Sequence, residues 1–140
     1  MSRANEAKLT CRQCGNKQMM SFWESINVDL DPPLRQKLFD GQLNVFRCEA
    51  CGDEAIFAPP LLYHDMTRLF AVQYFPEQLL EDASYFDGYT TDGKTAIKLP
   101  VGIPGGRYLA EPHIVFHMDE MTRYIRFREL LHGREKGDPE

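Results

Sequence analysis

Two matching stretches decide the fold of this chain: CRQCG at Cys11–Gly15 and CEACG at Cys48–Gly52. Each is a Cys-x-x-Cys turn followed by glycine, which readily adopts the positive φ that closes such a turn. A tight turn directs its two sulfurs to one point, so two turns supply four thiolates at tetrahedral angles. That donor set suits zinc, and we predict one zinc ion held by Cys11, Cys14, Cys48 and Cys51.

A metal enclosed by four sulfurs has no open coordination position, so its expected role is to supply folding energy. Two alternatives stay open on the residues alone. One is a redox pair or a disulfide, although neither turn precedes the helical pattern that a thioredoxin-type motif requires. The other is an iron centre on the same sulfurs.

Thirty-three residues separate Cys14 from Cys48, and they indicate a strand and then a short helix. The period-2 pattern of Met19–Leu30 predicts the strand, with Phe22, Glu24, Ile26, Val28 and Leu30 on one face and Trp23, Ser25 and Asn27 on the other. The helix follows from an Asp31 N-cap with proline in the first turn and a stop at Gly41. Short strands over Leu43–Arg47 and Glu54–Ala58 flank the second cysteine turn.

The remaining chain alternates strand and helix patterns. The sequence predicts a hairpin of Leu61–Asp65 with Arg68–Phe75, and a helix from an Asp119 N-cap through Leu131 to a stop at Gly133. The weaker patterns predict a short helix at Glu77–Ala83, a brief strand at Thr95–Leu99, a turn at Gly102–Gly106 and a late strand at Arg107–Phe116 interrupted by Pro112.

Together these patterns predict an α+β fold. Its centre is a zinc-ribbon-like antiparallel β core, with a short helix inserted between the two Cys-x-x-Cys knuckles, further β-strands and a C-terminal helix. Residues 1–132 form a single domain, and residues 133–140 form a flexible polar tail.

Composition and charge narrow the function classes. The 140 residues carry a net charge of −5, and 43% of them are hydrophobic, typical of a globular domain. Neither a signal peptide nor a membrane span is evident, so we expect a cytoplasmic protein without membrane association. Residues 1–52 hold seven Lys/Arg and six Asp/Glu, against nine and fifteen in residues 53–140. Nucleic-acid binding is therefore disfavoured except through the N-terminal third.

Two function classes follow. The favoured one is a non-enzymatic protein-interaction module that recognises a protein partner through aromatic side chains, for which the candidates are Trp23, Tyr85, Phe86 and Tyr89. The simpler interpretation is that these side chains belong to the core or to an ordinary loop and bind no partner. The alternative is a nucleic-acid-binding ribbon that uses Lys8, Arg12, Lys17, Arg35, Lys37 and Arg47. Homo-oligomerisation is left open.

A metal- or His-dependent enzyme is the third and weakest interpretation. His113 and His117 are four residues apart, but the pattern around them favours a strand, which would hold their side chains roughly 13 Å apart. His64 lies between Tyr63 and Asp65, and we expect a packed imidazole held by a neighbouring group. The expected role of all three histidines is structural.

The chain resembles the CpXC domain family. The resemblance lies in the two Cys-x-x-Cys-Gly knuckles, the run WESINVD at Trp23–Asp29, Asp31-Pro32 and LLYHD at Leu61–Asp65. It implies a small bacterial or archaeal protein with a zinc-ribbon-like core, thought to mediate protein interactions, and it brings no catalytic residue. Arg12 and Glu49 stand where the family name places proline. Proline would stiffen each turn but is not a metal ligand, so the four sulfurs remain.

Overall fold

The computed structural model describes residues 2–94 and 107–135. In chain order they form β1 (Arg3–Thr10), β2 (Lys17–Asn27), α1 (Pro33–Phe39), β3 (Val45–Arg47), β4 (Glu54–Ile56), β5 (Leu61–Asp65), β6 (Phe70–Tyr74), 3-10 turns at Glu77–Glu81 and Ala83–Phe86, α2 (Arg107–Ala110), β7 (His113–Val115) and α3 (Met118–Glu135). The fold is α+β, as predicted. Within the described ranges, no helix is both long and apolar enough to cross a bilayer.

The main sheet is mixed rather than antiparallel. Its order is β1-β2-β5-β6-β7, and β3 pairs with β4 in a separate hairpin. β2 lies parallel to β5, and β6 lies parallel to β7, so the prediction of an antiparallel core is wrong for these two pairs. Parallel neighbours need a long crossover, and α1 together with the β3–β4 hairpin forms the one between β2 and β5. The predicted β5–β6 hairpin is confirmed.

β1 was not predicted from the sequence. It pairs antiparallel with β2 from Thr10 opposite Lys17 outward, which makes the first cysteine turn the tip of a β-hairpin. Most of its residues are exposed on both faces. A strand without a buried face has no apolar alternation, so its pattern carries no signal.

A bulge in β2 changes which side chains share a face. The register shifts where Arg3 and Ala4 pair with Ser25 and Trp23, which leaves Glu24 as the extra residue. Before the bulge Phe22 lines a cavity on one face of the sheet, whereas Ile26, beyond it, packs into the core on the other face. The prediction that both share a face is therefore wrong, because a single bulge reverses the alternation.

The strand also ends earlier than predicted, at Asn27 instead of Leu30. The side chain of Asn27 accepts a hydrogen bond from the N–H of Asp29 at 3.0 Å, and its carbonyl accepts one from Asp31 at 2.9 Å. An Asx turn of this kind replaces the ladder and leads the chain into α1.

The main core lies between the sheet and the helices α1 and α3. An ion pair joins the two helices, in which Nε and Nη2 of Arg35 each donate to the Glu129 carboxylate at 2.8 Å. The fully buried residues at its centre come from β2, β5, β6 and α3, and they are Ile26, Leu61, Tyr63, Phe70, Val72, Met121 and Ile125. Trp23 packs against this core from the same face.

The helix boundaries differ from the predicted ones in detail. Pro32, not Asp31, is the N-cap of α1, and no side chain caps it. Gly41 follows the helix with φ +70°, as a stop residue should. α3 begins at Met118, so Asp119 lies within its first turn, and the helix runs past Gly133 to Glu135. One glycine costs about 1 kcal/mol in a helix, too little to end this one.

The predicted strand at Arg107–Phe116 is mostly wrong. Residues Arg107–Ala110 form α2, and only His113–Val115 pair as a strand, after Pro112. Tyr108 of α2 contacts the sheet, since its hydroxyl lies 3.0 Å from Nδ1 of His64 on β5. The predicted helix at Glu77–Ala83 is a 3-10 turn over Glu77–Glu81. The predicted strand at 95–99, the turn at 102–106 and residues 136–140 lie outside the described residues.

Candidate metal centre

Each cysteine pair lies in the turn of a β-hairpin, the first between β1 and β2 and the second between β3 and β4. In the first turn the N–H of Cys11 donates to the carbonyl of Asn16 at 2.8 Å, and the N–H of Gly15 donates to the carbonyl of Cys11 at 2.9 Å. The second turn repeats both bonds at the same lengths, from Cys48 and Gly52. The two glycines have φ of 76° and 79°. The site is therefore built from two copies of one turn.

The four sulfurs converge as predicted. All of them lie within 4.8 Å of one another, and none forms a disulfide. The Sγ atoms of Cys11 and Cys51 are 3.7 Å apart, and those of Cys14 and Cys48 are 3.5 Å apart. A tetrahedron with metal–sulfur bonds of ~2.3 Å has edges of about 3.8 Å. The arrangement therefore fits a tetrahedral metal ion with four thiolate ligands.

Backbone amides favour the thiolate form at this site. The N–H of Cys51, and then that of Ala50, donate to the sulfur of Cys48 and lower its pKa to about 6. In the first turn the N–H of Gln13 lies 3.4 Å from the sulfur of Cys11. Donors aimed at sulfur stabilise negative charge and so prepare the group to bind a cation.

Close packing of four sulfurs has the opposite effect on Cys51. The N–H of Asp53 works to lower the pKa of this thiol, but partial desolvation and the sulfurs of the other three cysteines outweigh it and raise that pKa to about 12. Four thiolates cannot all be charged at this spacing without a cation among them. A bound divalent metal relieves this repulsion.

Gln18 joins the two turns and was not identified from the sequence. Its side-chain oxygen accepts from Asn16 Nδ2 and from the N–H of Glu49, each at 2.9 Å, and its Nε2 donates to the carbonyl of Arg47 at 2.8 Å. This side chain thus holds the second turn against the first. A lone glutamine after a knuckle gives no sequence signal, because its partners in the second turn lie about thirty residues away.

The metal site has a small core of its own. Cys11 and Cys48 are buried with Phe46, and Leu9 and Met20 pack against them. Cys14 and Cys51 are exposed. This cluster is separate from the main core, so the two hairpin tips meet at the cysteines and at Gln18.

The structure gathers three of the four candidate partner-binding aromatics. Tyr85, Phe86 and Tyr89 surround Phe75 with ring centroids 5.8, 5.1 and 5.9 Å from it, in edge-to-face contact. Trp23 is not among them. It is half-buried against the main core, and its backbone N–H donates to Oδ1 of Asn44 at 2.8 Å.

The aromatic cluster borders a cavity of about 460 Å³. Tyr85 and Tyr89 form one side of it, and Phe75 and Phe22 form its apolar wall. The other lining residues are Glu24, Pro59, Pro60 and Gln73. Neither the β2 bulge nor the pairing of β2 with β5 is visible in the sequence, so this cavity could not have been predicted.

The basic residues of the N-terminal third are partly neutralised. Arg47 lies 2.8 Å from the Glu54 carboxylate, and Arg12 lies 3.7 Å from that of Asp53. Arg35 is engaged with α3 through Glu129. The three lysines of the set, Lys8, Lys17 and Lys37, are exposed.

The histidines lie apart from the cysteine site. Within the described ranges, only the four cysteines form a group of His, Cys, Asp or Glu side chains that could hold a metal ion. His113 stacks on Tyr124 with ring centroids 3.9 Å apart, and His117 is exposed. His64 is buried on β5, and burial lowers its pKa to about 4.

Comparison with known proteins agrees with this architecture. The family model described as "CpXC protein" matches residues 9–130, which include both knuckles, the main sheet after β1 and most of α3. No curated protein and no solved structure matches the chain. Because the match covers most of the chain, this protein belongs to the CpXC family.

Proposed function

We propose that this protein is a non-enzymatic zinc-binding module whose metal holds two hairpins in place while an aromatic surface docks a protein partner. The observation that carries the proposal is the convergence of four sulfurs, within 4.8 Å, on two turns of the same geometry. A closed four-sulfur set leaves a metal no position for substrate or water, so its function is structural.

Zinc fits the donor set better than the alternatives. Structural Cys₄ sites on paired knuckles are typical of zinc, which has no geometric preference other than that set by its ligands. A thioredoxin-type redox pair uses the two sulfurs of a single Cys-x-x-Cys turn. Here each sulfur has a neighbour from the other turn at 3.5–3.7 Å, so the four sulfurs form one set. When bound, zinc cross-links the β1–β2 tip to the β3–β4 hairpin.

Elemental analysis tests the metal. Protein purified without chelator should contain close to one equivalent of zinc per chain, because the four cysteines can enclose only one ion. Iron in place of zinc, or fully folded protein with no metal, would contradict the proposal. Iron would also show a visible absorption band that zinc lacks.

The partner surface proposed is the cavity beside Tyr85 and Tyr89. Aromatic and proline side chains give rigid contact area at low entropic cost. The carboxylate of Glu24 lies in the lining, and the neighbouring segment 77–92 carries Glu77, Glu81, Asp82, Asp87 and Asp92. Such a site suits a protein segment with a lysine or arginine, since aromatic rings and carboxylates both attract cations.

Affinity capture with the zinc-loaded protein tests the partner surface. Replacement of Tyr85 and Tyr89 by alanine should abolish capture of the partner and leave zinc content unchanged. The matched control is Leu80→Ala, an exposed apolar residue outside the cavity, which should retain the partner. Equal capture by both variants would contradict the assignment of this surface.

Nucleic-acid binding is tested on the same protein. We expect no appreciable binding of duplex or single-stranded nucleic acid at physiological salt, because phosphate contacts need clustered free cations. Affinity at about 1 μM or tighter, lost in Arg12→Ala with Arg47→Ala, would replace the protein-docking proposal with the nucleic-acid one.

A further inference from the structure

A cavity of about 300 Å³ lies along α3, away from the metal site and the aromatic cavity. We call it the α3 cleft. Two arginines and a histidine contribute to its lining, and neither aspartate nor glutamate does. The six lining residues are Arg68, Tyr124, Phe127, Arg128, Leu131 and His132. A basic cleft is unexpected here, because residues 53–140 hold an excess of six acidic side chains.

Arg128 is held in place by aromatic side chains. Its Nη1 donates to the hydroxyl of Tyr124 at 2.9 Å, and its guanidinium carbon lies 5.0 Å from the ring centroid of Phe70. Within residues 2–94 and 107–135 it forms no ion pair. A guanidinium fixed by stacking loses little conformational entropy when it binds an anion.

Arg68 also lines the cleft. Its Nη1 bonds to the buried carboxylate of Asp65 at 2.8 Å, and 36% of its side chain remains exposed. Its Nε is buried and has no hydrogen-bond acceptor among the described residues. One carboxylate therefore fixes the orientation of this guanidinium and leaves part of its donor capacity unused.

An apolar ridge borders the cleft. Phe127 is 52% exposed and Leu131 is 40% exposed, one helical turn apart on α3. Phe127 also lines a second depression of about 330 Å³ with Phe39 of α1 and Leu130, where Arg123 and Arg126 form the rim. Arginines thus lie on both sides of exposed apolar surface.

We propose that this surface of α3 binds an acidic peptide segment of a partner protein, with a carboxylate between Arg68 and Arg128 and an apolar side chain on Phe127 and Leu131. Arginine forks match carboxylates, and helical ridges of this kind accept aliphatic or aromatic anchors. A nucleic-acid strand would leave the apolar ridge unused. The site uses no residue of the metal centre or of the Tyr85–Tyr89 surface, so it stands or falls independently of the proposed function.

Fluorescence anisotropy with a defined probe tests the proposal. The probe is a fluorescein-labelled peptide of alternating glutamate and leucine, titrated with the zinc-loaded full chain. We expect saturable binding, weakened about tenfold in Arg128→Gln, as for loss of one charged hydrogen bond. Phe127→Ala should weaken it similarly, and the same peptide with glutamine for glutamate should bind at least tenfold more weakly.

Arg134→Gln is the matched control, because it removes the same charge from an exposed position on the same helix, outside the cleft. It should bind the probe as the wild type does. Arg128→Lys keeps the charge and serves as a second variant if Arg128→Gln fails to fold, and it should lose part of the affinity.

Several results would overturn the proposal. They are equal weakening by Arg128→Gln and Arg134→Gln, absence of saturation up to about 1 mM peptide, and tighter binding of a single-stranded oligonucleotide than of the peptide. A wild-type dimer that Phe127→Ala converts to monomer would likewise overturn it, since the ridge would then be the interface of a second copy.

Discussion

Single residues in this protein are defined by what surrounds them in space. His64 lies between Tyr63 and Asp65 in sequence, a setting that resembles acid–base machinery. In the structure its ring is 5% exposed, and Nδ1 lies 3.0 Å from the hydroxyl of Tyr108. Burial lowers its pKa to about 4, although Asp29 and Asp65 oppose the shift, so the imidazole is neutral near pH 7. A buried neutral imidazole has a consequence for stability.

The buried His64 should make the protein less stable in mild acid. The unfolded chain protonates this histidine below its ordinary pKa of 6.5, whereas the folded chain protonates it only near 4. Stability contributed by the neutral ring is therefore complete above pH 6.5 and is lost as the pH falls toward 4, by about 2–3 kcal/mol. Urea unfolding at pH 7, 6 and 5 gives the free energy of unfolding of wild type and His64→Gln. The slopes of this free energy against pH are then compared between the two proteins.

His117→Gln is the control for this experiment, because His117 is exposed on the same protein. It should keep the wild-type dependence on pH, whereas His64→Gln should show a flatter one. Proton competition for the cysteines acts on all three proteins alike, and zinc content measured at each pH accounts for it. Parallel slopes for wild type and His64→Gln would contradict the buried neutral imidazole.

At the scale of elements, the packing of α3 decides how much each of its residues contributes to the stability of the fold. Met121 and Ile125 are fully buried one turn apart, whereas Leu131, the last residue of the predicted helix, is 40% exposed. The sequence pattern treats these positions as equal. Met121 and Ile125 belong to the main core, whereas Leu131 does not.

Ile125→Ala should therefore lower the free energy of unfolding by about 2–5 kcal/mol, because it leaves a cavity in the main core. Leu131→Ala, the matched control on the same helix, should cost well under about 1 kcal/mol. Denaturant unfolding of both variants, with zinc content measured in parallel, gives the comparison. Similar losses in the two variants would show that the face of α3 is buried along its whole length.

The described residues form two cores of unequal size, and the candidate metal site belongs to the smaller one. The main core joins β2, β5, β6, β7, α1 and α3 without a cysteine, whereas the small core consists of Cys11, Cys48 and Phe46 with two flanking side chains. A short two-stranded hairpin such as β3–β4 is marginal without support. The metal is thus expected to stabilise one end of the molecule more than the rest.

Metal removal should unfold that end first. Hydrogen exchange of chelator-treated protein should show loss of protection in β3, β4 and the adjoining ends of β1 and β2, while β5, β6 and α3 stay protected. Cys48→Ser should give the same pattern and lower the melting temperature, as expected when a structural zinc worth roughly 10 kcal/mol or more in isolated peptides is lost. Ala50→Ser, an exposed substitution in the same turn, is the control and should retain zinc. Uniform loss of protection along the chain would contradict a two-core architecture.

The sequence by itself determined the features that depend on neighbours in the chain. Cys-x-x-Cys-Gly needs only five residues to form its turn, so both knuckles and their ligands follow from local pattern. The same holds for the proline-led start of α1, the stop at Gly41, the β5–β6 hairpin and the place of α3, since each is encoded within a few residues or one period.

Only the tertiary structure decided the features that depend on distant partners. β1 carries no apolar alternation and is a strand because β2 pairs with it. β2 and β5 lie side by side in parallel, although α1 and the β3–β4 hairpin separate them in the chain. The bulge at Glu24 lies in the pairing of β1 with β2 and places Phe22 and Ile26 on opposite faces. The cavities and the link through Gln18 also join residues from separate parts of the chain. Hydrogen bonds between strands and contacts between faces join residues tens of positions apart, and no local pattern records which partner each one meets.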